Sequence, residues 1–256
     1  MARDIKNIFI YGKHAVSEAL IHRPKSVKEI FLIENDVDAK SEIVAAKKIA
    51  SEYKIKIVSV DAKTILNNLP AGATHQGMAA RILASELVVP YDAFIETLAV
   101  TADTSVLILG EVEDPHNVGA VIRSAAAFGV SAVLIPEHNQ APVNGTVVKV
   151  SVGMAFRIPL VAIGNVNNTI EDLKKRGFWI YGLDGESKQS LNNEKFEKAT
   201  AFVLGNEGRG LREKTKEACD VLLSIPMHPK CESLNAAASA AIVLYKWSAE
   251  HPGSLC

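Results

Sequence analysis

The sequence predicts an α/β protein in two blocks: a compact α/β unit over residues 1–85 and a longer domain over 104–256, with 86–103 as the linker. The longer domain reads as a parallel sheet covered by helices on both faces. Three observations point there. Beyond residue 104, the apolar runs Val106–Leu109, Ala132–Ile135, Phe178–Leu183, Ala201–Leu204 and Val221–Ile225 hold no charged residue. Segments of helical character (Val118–Phe128, Ile170–Arg176, Leu211–Ala218, Asn235–Trp247) lie between or after them. Strands this apolar are buried on both faces, which requires helices above and below the sheet. Before residue 85 the elements are shorter, and Ser85–Ala102, interrupted by Pro90, is less periodic.

In the first block, His14–Arg23 reads as a short helix stopped by Pro24, whose ring cannot continue it. Val27–Ile33 is strand-like. Ser41–Tyr53 repeats Ile43, Ala46, Ile49 and Ala50 at helical spacing. Ile55–Val60 alternates apolar and polar residues and is rich in β-branched types, the pattern of a strand. Met78–Leu83 is another strand, and within the linker Tyr91–Leu98 is compatible with a helical turn. The sequence shows no internal repeat and no low-complexity tract. In an open parallel sheet, ligands bind beyond the carboxyl ends of the strands, so the informative residues are those just after each apolar run.

Composition narrows the function classes. The chain has 256 residues, 48% hydrophobic and 22% charged, an ordinary globular balance. No apolar run approaches the roughly 18–20 residues of a membrane span. The start, MARDIKNIFIYG, lacks a signal-type apolar core and carries the acidic Asp4, so a cytoplasmic location is expected. Three cysteines, Cys219, Cys231 and Cys256, form no CxxC pair. Free thiols are expected rather than a disulfide framework or a zinc site. No His/Cys/Asp cluster suggests a metal. Net charge is −1 but unevenly spread: residues 1–85 hold 13 Lys and Arg against 9 Asp and Glu, and the remainder 15 against 20. A polyanionic partner would have to be met by local patches, the amino-terminal block included; the plainer reading is an ordinary solvated surface.

Three strand-end segments carry chemistry. DPHNVGAVIRSAAAFG (114–129) offers Asp114 or Asn117 as a helix cap and Gly129 as the terminating glycine. Gly119 and Arg123, four apart, share a face near the helix start. An absent side chain above free N–H groups, beside a forked cation, suits an anion; the alternative is a capped helix with an exposed arginine. LGNEGRG (204–210) places Asn206 and Glu207 in a loop whose glycines permit close backbone approach to a ligand. Glu207 and the missing GK[ST] argue against a phosphate cradle. IPMHPKCESLNAAASAAIVLYKW (225–247) ends a buried strand, offers Ser233 or Asn235 as a cap, and continues into a small-residue helix. None of the three is a GxGxxG, so a nicotinamide-dependent dehydrogenase is disfavoured.

In order and chemistry, NxGxxxRxxxxxG, LGNEGxG and IPM…SLN resemble the three signature motifs of the SpoU (TrmH, SPOUT-class) ribose methyltransferases over residues 104–247. IYGKHAVSEAL and ATHQGMAARI resemble the amino-terminal RNA-binding domain found in a subset of that family. The arrangement is most similar to that of the bacterial enzymes that methylate the ribose 2′-hydroxyl of a guanosine in large-subunit (23S) rRNA. The resemblance implies a trefoil knot at the carboxyl end, a homodimer, and S-adenosyl-L-methionine as cofactor. It implies a cofactor site around Leu204, Gly205, Ile225, Met227 and Leu234, and a polar catalytic set of Asn117, Arg123, Glu207, Ser233 and Asn235. Lys13, His14, Arg23, His75 and Gln76 are the RNA-contact candidates. Two departures stand out: Pro229 replaces the family's usual glycine, and residues 151–154 read SVGM where the family favours smaller side chains. Pro229 is expected to stiffen the cofactor loop and remove one N–H donor. The expected chemistry is methylation of a ribose 2′-hydroxyl. Other rRNA nucleotides (the thiopeptide-resistance type), a tRNA ribose, and a non-catalytic RNA-binding assembly factor stay open.

Overall fold

The computed structural model describes residues 7–33, 39–70 and 73–255; Asp4 lies outside them. The first elements are β1 (Asn7–Tyr11), α1 (Lys13–His22), β2 (Val27–Leu32), α2 (Lys40–Tyr53), β3 (Lys56–Ser59), α3 (Ala62–Leu66) and β4 (Met78–Leu83). Then come β5 (Val88–Pro90), α4 (Tyr91–Ile95), β6 (Ser105–Leu109), α5 (Pro115–Ala127), β7 (Ala132–Pro136), α6 (Gly145–Val150), β8 (Leu160–Ile163) and α7 (Val166–Lys175). The chain continues through β9 (Trp179–Leu183), β10 (Thr200–Leu204), α8 (Glu213–Ala218), β11 (Val221–Leu223) and α9 (Ala236–Glu250). Contacts divide these into two units: one runs up to Val88 and takes in Val143–Arg157, and the other holds Val89–Pro142 and Ile158 onward.

The first unit is a four-stranded sheet of order β1-β4-β2-β3. β4 runs antiparallel to both neighbours, and β2 and β3 are parallel. Its strands alternate faces. Tyr11, Phe9, Phe31 and Ala79 cluster with Ile65 of α3, while Ile8, Ile10, Ile30, Leu32, Ala80 and Ile82 are buried as well. α6, which sequence reasoning missed, belongs here. Its GTVVKV is rich in β-branched residues, which disfavour helix, yet Asn144 caps it by accepting from the N–H groups of Thr146 and Val147, at 3.0 and 3.1 Å. α6 packs against β1, and a Cβ on Gly145 would collide with the carbonyl oxygen of Phe9. Arg157 closes the segment with a bidentate pair to Glu18 of α1, Nε–Oε2 2.6 Å and Nη2–Oε1 2.8 Å. Val147, Val148, Ala155 and Phe156 are buried, and full burial of a Val or Phe side chain contributes roughly 1.5–3 kcal/mol.

The second unit is a seven-stranded sheet of order β11-β9-β10-β6-β7-β8-β5. The pairings β11–β9, β9–β10, β10–β6, β6–β7 and β7–β8 are all parallel. Every residue of β6, β7 and β10 is buried, as continuous apolar runs require. The chain walks outward from β6 through β7 to β8, then returns to the other side of β6, so the order reverses between β6 and β10. A crevice opens at such a reversal.

Several expected limits shift for local reasons. The stretch read as a linker contributes β5 at the sheet edge, where Pro90 is tolerated, and the buried Ile95 of α4 joins the main core. α5 starts at Pro115, three residues before the expected Val118, because Asp114 caps it through the His116 N–H at 2.8 Å. Gly129 follows its end at φ +71°. β11 stops at Leu223 because Ser224 turns to Gln189, donating N–H to O at 2.9 Å. α8 begins at Glu213, after Leu211 has entered the core. β8 escapes a sequence reading because its four residues sit between Pro159 and Gly164. Among the described residues, no helix is long and apolar enough to cross a membrane.

Candidate active site

The turns after β9, β10 and β11 line a cleft of about 400 Å³ at the carboxyl edge of the sheet. The turn after β10 is built by Asn206. Its backbone exchanges two 3.0 Å hydrogen bonds with Gly210, and its Oδ1 accepts from the N–H groups of Gly208 and Arg209 at 3.0 and 3.1 Å. Its Nδ2 donates to the carbonyl of Glu111 at 2.8 Å, tying the turn to the one after β6. Gly205 is required by contact: a Cβ there would run into the backbone of Gly210 and Leu211. Asn206 stood in plain view in LGNEGRG, but only the fold shows that it positions its neighbour Glu207.

Glu207 accepts from Asn117 Nδ2 at 3.0 Å and, at 3.3 and 3.4 Å, from the backbone N–H groups of Glu113 and Asp114. Asn117 Oδ1 in turn accepts from Asn235 Nδ2 at 2.9 Å. Asn235 also caps α9, its Oδ1 taking the N–H groups of Ala237 and Ala238 at 2.9 and 3.2 Å. The motifs that are 90 and 118 residues apart in sequence are thus joined in one chain of hydrogen bonds, Asn235 to Asn117 to Glu207. Partial burial raises the Glu207 pKa, but the Asn117 amide and the backbone donors lower it by more, and the net shift is downward. Glu207 is therefore a fixed carboxylate.

This arrangement corrects one expectation. The start of α5 is not a bare anion site: the Glu207 and Asp114 carboxylates take the N–H groups of Asp114 and His116, Pro115 has none, and Gly119 is buried. The Asn117 amide is engaged at both ends, by Glu207 and Asn235. Arg123 lies exposed on α5, outside the cleft lining.

The cofactor candidates gather in the cleft. Leu204, Gly205, Ile225, Met227 and Leu234 all line it, together with Ser233 and Glu207. Pro229 fits its turn without strain: Cys231 N–H donates to the His228 carbonyl at 2.8 Å, leaving Pro229 at the second position, where a fixed φ is favoured and no donor is needed. In the SVGM stretch, Val152 has φ +54°, unusual for a β-branched residue. Cys219 is no nucleophile, since burial pushes its thiol up to about 12.

S-adenosylmethionine fits this lining. Asp184, Glu186, Glu207 and Glu232 line the cleft with Arg209 and Lys216, and both cations are ion-paired, Lys216 with Asp184 at 2.9 Å and Arg209 with Glu113 at 3.0 Å. An acidic surplus beside apolar Leu204, Leu223, Ile225, Met227 and Leu234 suits a cationic sulfonium carried on a purine nucleoside.

In the first unit, Lys13 is paired with Glu42 at 3.1 Å. The Glu42 carboxyl is held down to about 2, first by the Ser41 hydroxyl, then by its own backbone and Lys13. His14 is exposed and Arg23 partly so. His75 Nδ1 accepts from Gly77 N–H at 3.0 Å, a turn-forming role. Gln76, at φ +51°, accepts from Lys149, a residue that sequence reasoning did not single out.

Comparison with known proteins agrees in both units. Residues 104–245 match the model of the SpoU rRNA methylase family, and residues 9–88 match the RNA 2′-O ribose methyltransferase substrate-binding model. The chain is 40% identical over 235 residues to the 23S rRNA (guanosine-2′-O-)-methyltransferase RlmB of Neisseria meningitidis, covering 92% of each. It is 37% identical to the RlmB of Xanthomonas campestris, covering 94% of this chain and 96% of the relative. The fold is similar to that of the SpoU methyltransferase AviRb of Streptomyces viridochromogenes solved with AdoMet, with TM-score 0.79 and 21% identity, over 97% of this chain and 92% of that one.

Proposed function

The chain belongs to the SpoU rRNA methylase family, and on that premise we propose that it methylates the ribose 2′-hydroxyl of a guanosine in 23S rRNA, using S-adenosyl-L-methionine. The observation that carries this reading is the Asn235–Asn117–Glu207 hydrogen-bond chain at the acidic cleft. The substrate follows the printed activity of the relatives at 37–40% identity, and the cytoplasm is where such a substrate is found.

When bound, the cofactor supplies an electrophilic methyl group on a sulfonium. Backbone groups around Leu204, Gly205, Ile225, Met227 and Leu234 hold it, and the cleft carboxylates offset its charge. Ser233 holds the edge between cofactor and substrate, while Asn235 keeps Asn117 and the start of α9 in place. Glu207, fixed as an anion, keeps the turns after β6 and β10 in register. A ribose hydroxyl is a weak nucleophile, so position and charge stabilisation carry much of the rate. Arg123 supplies the charge. A guanidinium donates and does not accept protons at neutral pH, so its part is to grip the adjacent phosphate and stabilise the developing alkoxide. The proton leaves to a phosphate oxygen or a water.

Arg123 does not line the cleft of its own chain. A homodimer resolves this by bringing Arg123 of one protomer to the cleft of the other. Supporting such an assembly, α9 exposes Ile242 and Tyr245, with Tyr245 63% accessible and edge-on to Phe128 at 5.9 Å. Arg123→Ala should abolish methylation of 23S rRNA while calorimetry still shows cofactor binding. Mixing it with an Asn235→Ala protein should restore part of the activity. Near wild-type turnover by Arg123→Ala alone would overturn the assignment, and failure of the mixture to recover would overturn the shared site.

A further inference from the structure

We propose that Lys149 is a phosphate contact for the RNA substrate, placed within the RNA-binding unit by a segment that the sequence assigns to the methyltransferase block. The inference rests on the RNA-methylating reading above and adds a binding residue to it.

The Lys149 ammonium donates to Gln76 Oε1, and no carboxylate partners it among the described residues. Two other cations of the unit are committed. Lys13 pairs with Glu42, and Arg157 takes both oxygens of Glu18. Lys149 is half-buried, and burial alone holds its pKa below that of an ordinary lysine. A partly desolvated cation with one neutral acceptor has spare donor capacity and an unmet charge.

The surroundings keep the ammonium there. It lies against Gly12, where a Cβ would collide with both Nζ and Cδ of Lys149, and Gly12 is held at φ +94°. Gln76 presents its carbonyl from a turn at φ +51°, followed by Gly77 at +76°, and His75 locks that turn through the Gly77 N–H at 3.0 Å. From the other side, Asn144 and Gly145 seat α6 on β1. The exposed His14 follows Gly12 by two residues. These contacts hold the Lys149 ammonium beside Gly12 and Gln76, and a phosphodiester supplies what the ammonium lacks, a compact anion with several acceptor oxygens.

The test is the salt dependence of binding to protein-free 23S rRNA, compared for wild type, Lys149→Gln and Lys149→Arg. Each phosphate contact contributes about 0.7–0.9 to the slope of log K against log salt. Lys149→Gln should lower that slope by about one contact and weaken binding about tenfold at low salt. KM for RNA should rise with little change in kcat, and cofactor titration should be unchanged. Lys149→Arg, which keeps the charge, should restore the slope. A purely structural strut predicts the reverse, a Gln variant with wild-type slope, and that result overturns the proposal, as does an Arg variant that leaves the slope low. The slope is read from binding, so it separates failure of this inference from failure of methyl transfer.

Discussion

Two polar centres in this protein treat charge in opposite ways. At the cleft, Glu207 is surrounded by donors: an amide from Asn117 and two backbone N–H groups, with Asn235 completing the chain. In the first unit, Lys149 has one neutral acceptor among the described residues, Gln76. A charge that is internally satisfied serves geometry, because moving it breaks several hydrogen bonds together. A charge left unmet serves a ligand. The cleft is thereby preorganised around an anion of its own, while the Lys149 ammonium beside Gly12 is left to take an anion from outside.

The comparison breaks most sharply at Glu207. Glu207→Ala removes the shared acceptor and frees the turns after β6 and β10 to shift. Since a misplacement of about 1 Å can cost roughly 10²-fold in rate, kcat for methylation should fall by about that factor, measured at saturating RNA and cofactor. An unchanged kcat would show that the network is ornamental. A smaller effect is expected at Asn235, which both caps α9 and bonds Asn117. Loss of a cap costs about 1 kcal/mol, so Asn235→Ala should melt roughly 2–4 °C lower, with activity reduced further than that stability loss explains. The smallest effect is in pH. Glu207 has a folded pKa below 4.5, so its contribution to stability is complete above its unfolded value and is lost as pH falls through the lowered folded one. The urea midpoint of wild type should therefore drop more between neutral pH and the acid side of 4.5 than that of Glu207→Gln; parallel curves would place the carboxylate outside the stabilising network.

The features legible in sequence are those fixed by local physics. β6, β7 and β10 announce themselves because strands buried on both faces cannot carry charge, and the segments after β6, β10 and β11 carry Asn117, Glu207 and Asn235 for the same topological reason. What stays hidden needs partners distant in sequence. α6 is short and β-branched, and its helix shows only once Asn144 is seen to cap it. β5 has three residues and ends in Pro90, too short for a periodic signal. Asn206 reads as loop polarity until its bonds to Gly208, Arg209 and Glu111 are seen. Lys149 lies in the acidic part of the chain by sequence, so charge counting by blocks removes it from the unit it serves.

The excursion of Val143–Arg157 into the first unit makes the chain pass between the two units three times. If the first unit unfolds, β7 and β8 are left tethered by a long slack loop, and the valines of α6 and Phe156 lose their cover. Order in the first unit therefore shortens an internal tether of the second, and the closure entropy of that tether links their melting. A cut after β4 yields fragments that each lack something: the first would miss its last helix, and the second would display bare apolar side chains. Fusion or exchange of such modules in evolution would have to carry the inserted segment along with the amino-terminal block.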